Sequence, residues 1–234
     1  MQEEARDGRA GGTALMAGSA MLLATMAFHP TGHAVLRDPG GTTARLSTGV
    51  HALALAAVPL LLLGGLALTR RLRERRALAE LAFCCHALGL GAGVLAALAS
   101  GFLSTALLAR AAGETGAARE ATLLLVRYSG LVNQGSARVL VGMGSAAILL
   151  WSVAAVRSAR LPRGAAWLGV VVGSMALTLL LAGRLPLDVH GYGAVVLGQS
   201  AWMVLAGRAL RRGDAPVPPA VTPAFPAGGR RGAG

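Results

Sequence analysis

VHALALAAVPLLLLGGLALTRRLRERR, residues 50–76, joins a long uncharged run to a dense cluster of arginines. From Val50 to Thr69 no residue carries a formal charge, and then five arginines fall between Arg70 and Arg76. Roughly 20 apolar residues in a helix cover the ~30 Å hydrocarbon layer of a bilayer. Arginine is tolerated where such a helix emerges. The stretch therefore predicts a membrane span closed by a basic stop.

The same pattern recurs along the chain. Apolar blocks at Gly12–Phe28, Leu78–Leu108, Val139–Val156, Ala165–Ala182 and Val189–Ala206 bring the expected number of spans to six. Of the 234 residues, 54% are apolar and only 14% charged, against roughly a quarter charged in a soluble domain. The first block lacks the features of a cleaved leader, because acidic residues precede it and no A-x-A site follows, so it is expected to stay as a span. Ala121–Gly135, ATLLLVRYSGLVNQG, fits either a short interfacial helix or the early part of span four, and its periodicity serves both. The expected organisation is a polar tail over 1–11, an all-α, polytopic membrane helix bundle over 12–208, and a disordered Pro/Gly/Ala-rich tail over 209–234.

Charge fixes the expected orientation. All 22 basic residues are arginines, and 15 of them fall in the two tails and in the loops after spans two and four. The positive-inside rule then places both termini in the cytoplasm. It also bears on the net charge of +12: the cations sit at span ends and lack interleaved aromatic residues, so a bilayer and not a nucleic acid is the expected partner. A homo-oligomer or larger membrane complex is a further expectation. The lysine-free, Arg/Ala/Gly-rich composition suits a bacterial inner membrane.

No P-loop, nucleophile elbow, H-E-x-x-H or C-x-x-C motif is present. Cys84 and Cys85 are adjacent within an apolar block and imply no disulfide framework. The histidines carry more information. His29 and His33, in FHPTGH, fall at the outer end of span one, and His51 and His190 open spans two and six, each as Val-His. Four of the five histidines thus share one expected depth. Pro30 makes FHPTGH a helix terminator, and His86, on the inner side, reads as a packed or backbone-bonded residue.

Several neutral imidazoles converging from separate helices can ligate Zn, Cu, Fe or Ni. The candidate metal ligands are His29, His33, His51, His190 and Asp188, with Asp38 as a further ligand or an acceptor for ring N–H groups. A haem b variant would take His51 and His190 as axial ligands. The layout resembles that of membrane b-type cytochromes without a shared motif, and with only His86 near the inner face it implies one haem at most. Two other functions compete: a small permease, which would show a midplane cavity around Gln199 and Ser104, and a structural protein without a ligand.

Overall fold

The structure, a computed structural model, describes residues 2–30, 32–186 and 189–213, without the side chains of 2–5, 32, 33, 189 and 190. Every element among the described residues is helical. The helices are α1 (Gln2–Ala27), α2 (Gly32–Arg37), α3 (Thr42–Arg71), α4 (Arg76–Ala97), α5 (Ser104–Ala112), α6 (Gly116–Ser158), α7 (Arg163–Leu181) and α8 (Val189–Arg212). A 3-10 turn at Arg73–Arg75 joins α3 to α4, and a π-helical segment, Leu98–Leu103, joins α4 to α5. Six stretches are long and apolar enough to cross a membrane: α1, α3, the α4–π–α5 unit, α6, α7 and α8. The chain is therefore a multi-pass membrane-helical protein.

Helices run further than hydropathy suggests. α3 begins at Thr42, eight residues before Val50, because a helix satisfies its own backbone in water and lipid alike, whereas hydropathy registers only the lipid part. Ala121–Gly135 belongs to α6, which continues without a break to Ser158. Asp38 starts α3: its Oδ2 accepts the backbone N–H of Thr43 at 3.1 Å, satisfying one of the free donors of the first turn. This bond uses one oxygen of Asp38, and whether the other meets a histidine ring lies with the side chains of His33 and His190, outside the described residues. Asp38→Ala is expected to cost about 1 kcal/mol, read as a lower thermal midpoint in detergent.

The six spans form a ring. Each packs against the next in the chain, and α1 closes the circle against α8. That closure is a glycine contact: a Cβ on Gly12 would press on the Gly207 carbonyl and stand 3.0 Å from the Arg211 nitrogen, and one on Gly207 would stand 2.8 Å from Met16 Cγ. Small residues let backbones approach where dispersion, not hydrophobic expulsion, holds helices together. The start of α1 also meets the end of α3 through Arg70 and Asp7, 3.6 Å apart. The beginning of α1 and the end of α8 consequently share one end of the ring with the arginines of residues 70–76 and 157–163.

That arginine-rich end is filled. Leu61, Leu68, Ile148, Trp151, Trp202 and Ala206 are buried in one apolar cluster. Trp151 and Trp202 stack with ring centroids 6.1 Å apart, and the Trp151 indole N–H donates to Thr69 Oγ1 at 3.1 Å. His86 packs into this plug 5.1 Å from Trp151, its Nε2 donating to the Leu61 carbonyl at 3.2 Å. It is the packed, backbone-bonded residue the sequence suggests. The opposite half of the ring is hollow.

Candidate functional site

α1 stops at Ala27 for the reason FHPTGH supplies: Pro30 has no N–H to continue the ladder and disfavours helical geometry at His29. The last helical bond runs from the Phe28 N–H to the Ala24 carbonyl at 3.1 Å. Freed from the helix, His29 folds against α3 and meets His51 edge-on, with ring centroids 5.0 Å apart and planes at 67°. Thr25 fastens the two helices just below, its hydroxyl donating to the Val50 carbonyl at 3.2 Å.

Both rings are oriented through Nδ1. That atom lies 2.9 Å from the Pro30 carbonyl in His29 and 2.6 Å from the Ser47 carbonyl in His51. A carbonyl only accepts, so each Nδ1 carries the proton and each Nε2 keeps its lone pair. Burial also holds the His29 imidazole below its ordinary pKa, against the opposing effect of its bond to Pro30.

The π segment completes the surroundings of His51. The π turn shifts the backbone bonding, so that the Ser104 N–H reaches the Ala99 carbonyl, and hydroxyls from neighbouring helices add second bonds to carbonyls of the segment. Ser129 of α6 donates to the Ala99 carbonyl at 2.9 Å, and Thr48 of α3 donates to the Gly101 carbonyl at 2.8 Å. Gly101 thereby comes so close to α3 that a Cβ on it would overlap the Cβ and Cγ of His51 and lie 2.8 Å from Nδ1.

His29 and His51 border a partly open cavity of about 1300 Å³ between the spans. Its floor includes Leu61, Leu90 and Met203. Leu61 is ten residues beyond His51 on α3, so the cavity runs ~15 Å down from the histidines. Most of the wall is aliphatic, and polar groups cluster on α6 (Asn133, Gln134, Arg138), around Ser100 and Ser104, and at Gln199. Gln199 donates to Ser145 Oγ at 3.0 Å, and Ser104 donates to Ser129 Oγ at 3.1 Å.

The depth of the pair follows from helix rise. His51 stands 20 residues before Arg71, and Arg138 stands 20 residues before Ser158. Each is ~30 Å from the arginine-rich end, one hydrocarbon thickness away. His51, which by hydropathy alone would open its span, has more than two further helical turns beyond it.

Of the sequence-predicted ligands, His29 and His51 are brought together. Asp188 lies outside the described residues, as do the side chains of His33 and His190. Among the described residues no group of three His, Cys, Asp or Glu side chains is arranged to hold a metal ion. The cavity is bordered, however, by Pro30 and Val35 on either side of His33 and by Pro186 and Tyr192 on either side of Asp188 and His190. Sequence reasoning missed the π segment and the Asn133–Gln134–Arg138 wall. The signal for the first was surplus length: 33 residues lie between Arg76 and Arg110, where about 20 suffice to cross.

No protein-family model, curated protein or solved structure matches the chain.

Proposed function

We propose that this multi-pass membrane protein binds a first-row transition metal ion at the hollow end of the helix ring, with His29 and His51 as two of the ligands. The observation that carries this is the pair of edge-packed imidazoles, each donating Nδ1–H to a backbone carbonyl and each keeping an Nε2 lone pair. Metal-bound histidines are oriented in this way, by a hydrogen bond from the other ring nitrogen. The spacing agrees. An imidazole nitrogen ~2 Å from an ion, with its ring centre ~1 Å further on, puts two centroids ~5 Å apart at a tetrahedral angle, and 5.0 Å is the separation here.

The other ligands of this proposal are His33, His190 and Asp188, carried by segments whose described neighbours border the cavity. With the arginine-rich end in the cytoplasm of a bacterial cell, the ion would sit on the outer side of the inner membrane. A haem b held by His51 and His190 is a variant of the same proposal, and electron transfer would then be its work. The midplane cavity is also what a permease would need, but its closed floor of Leu61, Leu90 and Met203 suits a one-sided binding site better than a path.

The test is metal content. The full chain, purified in mild detergent, incubated with Zn2+ or Cu2+ and desalted, is expected to retain one ion per chain. A visible Soret band in the purified protein would assign the haem variant instead. A protein that leaves the column colourless and metal-free under oxidising and reducing conditions would end both.

The pH dependence has a definite sign. Metal binds neutral imidazole, and burial lowers the His29 pKa below 6.5. Protonation of His29 therefore sets in at lower pH than for an exposed imidazole, and affinity is expected to fall as pH drops through that range. Affinity that does not change on acidification would contradict ligation by the His29 imidazole.

A further inference from the structure

The cavity is far larger than an ion requires and its wall has a second pole. Pockets for drug-sized ligands enclose roughly 300–1,000 Å³, and this one encloses about 1300 Å³. On α6, Asn133, Gln134, Ala137 and Arg138 border it, a spacing of three to four residues that puts them on one helix face. Arg138 makes no ion pair with any described carboxylate. Asp7, Glu74, Glu80 and Glu114 are paired with Arg70, Arg160, Arg76 and Arg110 respectively, Asp38 bonds the start of α3, and Glu120 lies 18 residues before Arg138 on α6, ~27 Å away.

Arg138 is exposed at the cavity rim, and a guanidinium beside hydrocarbon there is favoured by an anionic partner. Arg138 stands ~30 Å from the arginine-rich end, at the boundary where lipid headgroups begin. Below it the wall turns aliphatic, with Leu22, Leu55, Val58, Leu140 and Val196. An anion at the rim and an apolar body below are the complement of this wall.

We propose that the cavity binds an anionic amphiphile, its carboxylate or phosphate head held by Arg138 with Asn133 and Gln134, and its acyl chain lying along the aliphatic wall toward Leu61 and Met203. Guanidinium engages either head through paired N–H donors, and the side-chain amides supply neutral donors beside it. The proposal uses the wall on α6 and does not depend on a metal ion at the histidines.

The experiment is native mass spectrometry of the full chain in mild detergent with a chelator present, titrated with oleate, oleyl alcohol or inorganic phosphate. One oleate per chain is expected, with an apparent affinity at least tenfold above that of oleyl alcohol. Arg138→Gln should bring oleate down to the level of the alcohol while alcohol binding stays unchanged. Arg45→Gln, at an exposed arginine outside this cavity, should keep the preference. Competition by phosphatidylglycerol would identify the occupant as a bilayer lipid, and its absence a free fatty acid. The proposal is overturned if oleate and oleyl alcohol bind alike, if phosphate alone displaces oleate, if Arg138→Gln keeps the preference, or if Arg45→Gln loses it equally.

Discussion

Placing a methyl group on Gly101 is expected to destabilise the helix ring by about 3 kcal/mol, the upper end of what overpacking a closed interior costs. The new Cβ would overlap the Cβ and Cγ of His51 and stand 2.8 Å from Nδ1. Neither side has room to yield. His51 is held by its bond to the Ser47 carbonyl, and the Gly101 backbone is held by the Thr48 hydroxyl on its carbonyl. Relief would require the π segment to leave α3, freeing the Gly101 carbonyl of a bond that crosses between helices. Denaturation in detergent, followed by tryptophan fluorescence from Trp151 and Trp202, reads the change. A Gly101→Ala midpoint within about 0.5 kcal/mol of wild type, the scale of a neutral surface change, would show that the π segment does not press on His51.

The second large effect concerns the histidines. His51→Ala is expected to weaken metal binding at least a hundredfold, since it removes a ligand outright, whereas losing a group that only orients a ligand already costs 10- to 100-fold. His29→Ala should act in the same direction, and helix content by circular dichroism should be unchanged in both. His86 supplies the contrast. It lies in the plug against Trp151 and bonds the Leu61 carbonyl, so His86→Ala should lower stability by about 2 kcal/mol and leave metal affinity within twofold. Equal losses of affinity from all three substitutions would indicate general unfolding and contradict a localised site.

The membrane class and the number of spans were legible because each rests on a long-range excess: uncharged runs such as Val50–Thr69, ended by arginines. Helix ends were less so. Thr42–Gly49 and Gly116–Arg138 are helical outside or at the edge of the hydrocarbon layer, where hydropathy carries no signal. The shared depth of His29 and His51 followed from topology, but their contact did not, because it depends on how the chain turns after Pro30. Gly101 could not be recognised at all: a π turn changes the register of one helix, and only the neighbouring Thr48 and Ser129 hydroxyls show what it is for. Arg138 looked like an ordinary loop charge while Ala121–Gly135 had two readings. One continuous α6 turns it into part of a cavity wall.

His29 and His51 are proposed to share one metal ion. Electron paramagnetic resonance of the Cu2+-loaded full chain tests it most directly, because imidazole nitrogens bound to copper split the spectrum according to their number. Coupling to at least two imidazole nitrogens is expected, with one fewer in His29→Ala and one fewer in His51→Ala. A copper spectrum without nitrogen coupling, or one that neither substitution changes, would contradict it.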